Sequence, residues 1–149
     1  GYAAGPKEII TAIRKIQSQS TSNPSSISQA AAVEALNGQQ DFITERAEAF
    51  KERRDFVVES LNKIKGVNCL MPNGAFYVFP SCKGLLSKKT KLKNDTEFVQ
   101  QLLEKSMVAV VQGSAFGLNG YFRISYATSM ENLKKAMARI RDFCESLNN

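Results

Sequence analysis

Histidine and tryptophan are absent from this 149-residue chain, and cysteine occurs only three times. Without histidine these residues contain no Ser-His-Asp triad, no imidazole base and no His-ligated zinc. Cys69, Cys82 and Cys144 are odd in number and far apart, which argues against a zinc site or a disulfide framework and fits a reducing cytoplasm. No apolar run approaches the ~20 residues of a membrane span, and no basic-then-apolar leader opens the chain. Chemistry in this segment is left to Lys, Arg, Tyr, Ser and carboxylates.

An apolar content of 43% with 23% charged residues gives one folded domain with a real core, or a piece of a larger one. The net charge of +6 invites a nucleic-acid reading. The basic residues are dispersed, however. The one dense run, Lys83 to Lys93, lacks interleaved aromatics and reads as a solvated loop, with contact to a phosphate or other anionic partner as the alternative.

Pro6 opens a helix with an apolar stripe of Ile9, Ile10, Ile13 and Ile16. Residues 17–23 are polar and uncharged and break the pattern. They read either as a solvated link or as hydroxyls that order an anionic ligand. Asn23 is placed as N-cap and Pro24 as first residue of a second helix, which Gly38 stops. Asp41 caps a long helix carrying Phe42, Phe50, Val57, Leu61 and Ile64, which Gly66 ends. Twenty-odd residues span roughly 35 Å, so this helix is read as a strut between two lobes.

After it the period changes to that of strands: 67–70, a turn at 71–74, and 75–79 closed by Pro80. Phe76, Phe79, Phe116 and Phe122 are placed with the core. Asn94-Asp95-Thr96-Glu97 is a capping box for a fourth helix. A strand at 108–111, a glycine-punctuated loop at 112–119, a strand at 121–126 and a terminal helix capped by Thr128-Ser129-Met130-Glu131 complete the order. The whole is an α+β (or α/β) arrangement, a small sheet with helices on one face.

Two glycine-led segments stay ambiguous. Gly74 begins a strand, either as a tight turn or because backbone there approaches a ligand too closely for a side chain. Gly113-Ser114-Ala115-Phe116-Gly117 lacks the Gly-Lys-Ser/Thr of a nucleotide loop and precedes a strand. Arg123, inside Phe122-Arg123-Ile124-Ser125, is the sharpest feature. A guanidinium among apolar residues calls for an anion, either a structural Asp or Glu or the carboxylate of a small substrate.

Five segments occur in an order that resembles the C-terminal part of class I, fold-type I pyridoxal-phosphate aminotransferases, bacterial aspartate aminotransferases in particular. They are Gly1-Tyr2-Ala3-Ala4-Gly5-Pro6, Ser22-Asn23-Pro24, Pro72-Asn73-Gly74-Ala75-Phe76-Tyr77, Gly113-Ser114-Ala115-Phe116-Gly117 and Phe122-Arg123-Ile124-Ser125-Tyr126-Ala127. The resemblance covers essentially the whole chain and decides for the substrate. It implies that Arg123 binds the α-carboxylate of an amino acid, that Asn73 and Gly74 face the cleft, and that Ser22 and Asn23 lie near the active site at a dimer interface.

The resemblance further implies residues 1–40 as the end of the large cofactor-binding domain and 41–149 as linking helix and small C-terminal domain. The opening at Gly1 reads as a cut through a domain. No catalytic residue is expected within the chain, because the Schiff-base lysine and the main pyridoxal 5'-phosphate contacts would lie upstream of Gly1. The intact enzyme is expected to be a cytoplasmic homodimer that transfers an amino group between an amino acid, aspartate by family, and a 2-oxo acid such as 2-oxoglutarate. No metal, nucleic acid or membrane enters this reading. Gln112 stands where the family often has proline, which loosens the glycine loop. No basic residue stands at 17–23, where some relatives carry a second arginine for the distal carboxylate. A β-lyase or synthase on the same fold and a basic nucleic-acid module are the other readings.

Overall fold

The computed structural model describes residues 2–147. The chain divides into two compact units, Gly1–Phe42 and Ile43–Asn149. The first holds helices α1 (Lys7–Gln19) and α2 (Ser26–Asn37), neither with a buried residue. Ile9, Ile13 and Ile16 on α1 and Ile27, Val33 and Leu36 on α2 are all exposed.

Asn23 is not the cap of α2. Ser22 takes a left-handed φ of +64° and its amide closes α1 on the Gln17 carbonyl at 2.9 Å. Asn23 and Pro24 then lead to Ser25, whose carbonyl accepts from the Gln29 amide at 3.0 Å, while the Gln29 side chain holds the Pro24 carbonyl at 3.1 Å. The helix therefore starts beyond the proline rather than on it.

The second unit begins along α3 (Phe42–Asn62), whose 21 residues span about 31 Å. Only its C-terminal half is buried, through Val57, Val58 and Leu61. The helix stops at Asn62, before Gly66, where the Ile64 amide closes on the Leu61 carbonyl at 3.0 Å, and the side-chain amide of Asn62 turns to the chain beyond. It accepts from the Cys69 amide at 2.8 Å and donates to the Cys69 carbonyl at 2.9 Å. That takes the backbone groups a neighbouring strand would have used. The strand expected at 67–70 reduces accordingly to one bridge between Asn68 and Ser81.

The sheet has three short strands, β1 (Tyr77–Val78), β2 (Val111–Gln112) and β3 (Phe122–Ser125), in the order β1-β3-β2 with both pairings antiparallel. Tyr77 faces Ser125 and Val78 faces Ile124; Val111 faces Arg123 and Gln112 faces Phe122. Strand β1 is shorter than the expected 75–79 because Ala75 takes φ +61°, which is not extended backbone. Only the last residue of the expected 108–111 strand pairs, and Gln112 joins it instead of opening the loop.

Helix α4 (Asp95–Ser106) has the cap read from sequence. The Asn94 side chain accepts from the Glu97 amide at 2.9 Å, and Glu97 reaches back to the Lys93 amide at 2.8 Å. Helix α5 (Met130–Ser146) is capped by Ser129, which accepts from Asn132 at 3.2 Å. Strand alternation sends Val78, Phe122 and Ile124 to one face, where they join Val57 and Leu61 of α3, Phe98 and Leu102 of α4, and Leu133, Met137 and Ile140 of α5 in a single core. Phe98 lies 5.0 Å from Phe122 and 5.7 Å from Phe143, centroid to centroid. This is a small α+β domain with helices against one face of an antiparallel sheet.

The lysine-rich segment is not simply a solvated loop. Leu85 and Leu92 are buried, and the Thr90 hydroxyl donates to the Leu85 carbonyl at 2.6 Å, so its lysines fan out from an anchored base.

Candidate functional site

The alternation that buries Phe122 and Ile124 sends Tyr121, Arg123 and Ser125 to the opposite face of β3. The Arg123 guanidinium carbon lies 4.4 Å from the ring centroids of both Tyr77, on β1, and Phe116, in the 3-10 turn Gly113–Phe116. Each such contact stabilises the cation by about 0.5–2 kcal/mol and uses none of its five N–H donors, and no hydrogen bond from them is made to another described residue. Among the described residues no carboxylate oxygen lies within 4.0 Å of this guanidinium. The structural ion pair that the sequence left open is not made among the described residues.

The stack continues outward. Phe116 meets Phe79 edge-on at 5.9 Å, Phe79 lies nearly parallel to Tyr121 at 5.7 Å, and Lys83 Nζ sits 4.9 Å over the Tyr121 ring. Phe116 is 48% exposed and Phe76 42% exposed, so both leave the core assigned to them from sequence. A phenylalanine on a strand or turn is apolar whichever way it faces: the Phe116 ring lies against Arg123, and that of Phe76 lies beside Phe50 and Tyr77.

The loop that carries Phe116 is held by Asp95, a residue the sequence reading noted only as part of a capping box. Asp95 is 1% exposed, and its carboxylate accepts from the Ser114 amide at 2.7 Å and the Gly120 amide at 3.1 Å. Burial pushes its pKa up, but the Ser114 and Gly120 amides and the Ser114 hydroxyl outweigh that and hold it below the ordinary carboxylate value. An acidic residue flanked by a cap and a helix is the only sequence signal it gives. Gly113 donates to the Tyr121 carbonyl at 2.7 Å, and Leu118 returns to the Gly113 carbonyl at 3.0 Å.

Asn73 and Gly74 are exposed and line a hollow of about 220 Å³ with Phe50, Arg54 and Tyr126; Arg123 is not among its lining residues. Within this chain a Cβ on Gly74 would meet nothing within 4 Å. The strained residue of that turn is Ala75, whose carbonyl accepts from the buried Tyr126 hydroxyl at 2.8 Å. Ser22 and Asn23 line a different hollow, of about 640 Å³, inside the first unit with Arg14, Lys15 and Ser18.

The thiols are not nucleophiles at neutral pH: burial pushes Cys69 up to about 11 and Cys82 and Cys144 up to about 12. Among the described residues no group of three or more Cys, Asp or Glu could hold a metal, and no helix is long and apolar enough to cross a membrane. The glycine loop is no phosphate cradle. The amides of Ser114 and Gly120 are taken by Asp95, and those of Gly113, Gly117 and Leu118 by backbone carbonyls. The second unit thus carries a guanidinium beside two aromatic rings, and the loop that bears Phe116 does not fit a cofactor phosphate.

The sequence and fold of this chain are similar to those of known proteins. The family model described as aminotransferase class I and II matches residues 1–140. An aspartate aminotransferase of Rhizobium meliloti is 57% identical over 99% of this chain and 37% of its own length. An aspartate/prephenate aminotransferase of Cereibacter sphaeroides is 55% identical over 99% of this chain and 38% of its own. A crystal structure of the Rhizobium meliloti aspartate aminotransferase superposes with a TM-score of 0.89 at 57% identity, covering 97% of this chain and 37% of that one. The chain thus spans a little over a third of the length of the relatives it matches. With the family model covering nearly all of it, this chain belongs to the class I and II aminotransferases.

Proposed function

We propose that this chain is the carboxylate-binding portion of a pyridoxal-phosphate-dependent aminotransferase that moves an amino group between an amino acid and a 2-oxo acid. The observation that carries this reading is Arg123 on the central strand, against the rings of Tyr77 and Phe116 with no carboxylate within 4.0 Å among the described residues. Its fork takes the substrate α-carboxylate through two parallel N–H···O bonds, which fixes the orientation of Cα. The two aromatic rings beside the guanidinium lower the local polarity, which strengthens the pair.

The cofactor would be held by residues of the longer enzyme outside this chain, and when bound there it supplies the electron sink for the reaction. Aspartate with 2-oxoglutarate is the substrate pair this reading favours, in keeping with the names of the relatives. Those names also make prephenate a 2-oxo acid to test. Asn73 and Gly74 would face the cleft, and Ser22 and Asn23 the interface of a cytoplasmic homodimer. The uncovered isoleucine and leucine stripes of α1 and α2 support assembly with more protein.

The test is Arg123→Ala in the full-length enzyme. Loss of a charge-assisted bidentate pair costs about 2–5 kcal/mol, which lowers kcat/KM for the amino acid roughly 30- to 5,000-fold. Cofactor occupancy should hardly change, and Arg123→Lys should restore only part, because a point charge cannot reproduce the fork. A lower melting temperature with near-normal kcat/KM would refute the assignment.

A further inference from the structure

We infer that Asp95 is a positioning residue for Arg123: its buried carboxylate holds both ends of the loop that lays Phe116 over the guanidinium. The inference rests on the carboxylate-binding reading of Arg123 given above.

Asp95 is the one buried charged residue among those described, and no lysine or arginine nitrogen pairs with it. An isolated buried carboxylate is costly unless donors surround it. Here the donors are the Ser114 amide at 2.7 Å and its hydroxyl, the Gly120 amide at 3.1 Å, and the positive end of α4, which Asp95 begins. Those amides flank the segment 114–120. Inside it Gly117 donates to Ser114 at 3.1 Å, and Leu118 to Gly113 at 3.0 Å, so the segment behaves as one closed loop.

Phe116 sits at the middle of that loop and is half exposed, touching Phe79 and Arg123. The anchoring of the loop sets where that ring lies. Strand β3 starts two residues after Gly120, so the same carboxylate also sets where Arg123 enters the sheet. Both the cover of the guanidinium and its origin are tied to one side chain on a different element.

The experiment is a double-mutant cycle in the full-length enzyme with Asp95→Asn, Arg123→Ala and both together. Kinetics with aspartate would be read beside the absorbance of bound cofactor. Asparagine keeps the size of the side chain but replaces one acceptor oxygen by a donor, so one of the two loop anchors is lost. Displacing a binding group by a fraction of an ångström to an ångström lowers kcat/KM about 10- to 100-fold. Asp95→Asn should therefore lower kcat/KM by that factor at unchanged cofactor occupancy. In the Arg123→Ala background the same change should cost less than about twofold, because residues that act as a unit are not additive.

Losses that multiply, or an Asp95→Asn enzyme within about twofold of the parent, overturn the inference while leaving the role of Arg123 standing. An Arg123→Ala enzyme of normal kcat/KM overturns the carboxylate reading and the inference with it. Should Asp95→Asn fail to fold, Phe116→Leu at the half-exposed ring serves in the same cycle. It should cost about 3- to 10-fold alone by removing one cation–π face and nothing in the Arg123→Ala background; equal losses in both backgrounds refute the coupling.

Discussion

An alanine at Gly113 would put its methyl carbon 2.4 Å from the Leu118 carbonyl oxygen and 2.8 Å from both the Cβ and the carbonyl oxygen of Tyr121. None of these neighbours is the tip of a flexible side chain, so the methyl group cannot be accommodated by a rotamer change. The loop must lift from the strand, which breaks the Gly113 to Tyr121 bond of 2.7 Å and loosens the Leu118 to Gly113 bond of 3.0 Å. Overpacking costs about 1–3 kcal/mol and each net hydrogen bond about 1 kcal/mol, so the substitution should destabilise by about 2–4 kcal/mol.

Two other glycines calibrate the measurement. Gly117 has open space but φ +77°, so Gly117→Ala meets only the left-handed penalty of about 1 kcal/mol. Gly74 has neither a close neighbour nor a positive φ, so Gly74→Ala should stay within about 0.5 kcal/mol. The assay is denaturant unfolding of the full-length protein with kcat/KM measured on each variant. Gly113→Ala should fall furthest in both, since Phe116 moves with the loop. A Gly113→Ala protein as stable as Gly74→Ala would refute the reasoning. If Gly74→Ala is stable but catalytically impaired, a ligand or another part of the enzyme approaches that backbone, as its cleft assignment requires.

Asp95 also sets an acid dependence. Its folded pKa lies below the ordinary 3.8, so its contribution is complete above that value and is lost as pH falls through the folded pKa. The stability difference between parent and Asp95→Asn, read from urea midpoints, should therefore be constant near neutrality and shrink below about pH 4. A difference that does not change with pH would refute it; Asp55, also held low, by hydrogen bonds from Lys51 and then Arg54, cancels because both proteins carry it. Tyr126→Phe removes the hydroxyl that satisfies the Ala75 carbonyl and should cost about 1–2 kcal/mol in the same unfolding assay. An unchanged midpoint would show that bond to be dispensable.

Helix identity was legible because its signals are local. Asn94 caps α4 and Ser129 caps α5 through bonds to amides three residues on, and the core residues of α5 repeat along one face within the same helix. The alternation Phe122-Arg123-Ile124-Ser125 likewise marked a strand with one buried face and singled out the arginine. The cap of α2 was misplaced for the converse reason. Asn23 and Ser25 are equally good caps by type, and the left-handed Ser22 decided between them by where it closed α1.

Sequence alone determined the order of the helices, the α+β character and the family resemblance, all of which depend on residue type at short or fixed spacing. Tertiary structure decided strand length, because Asn62 took the backbone of Cys69, and Ala75 turned left-handed beneath a hydroxyl 51 residues away. It also decided what meets Arg123. The rings of Tyr77 and Phe116 and the loop held by Asp95, 25 residues before Gly120, come together only when separate segments fold onto one sheet. A guanidinium's need for partners is written in its chemistry, whereas the identity of those partners belongs to long-range packing that no local pattern encodes.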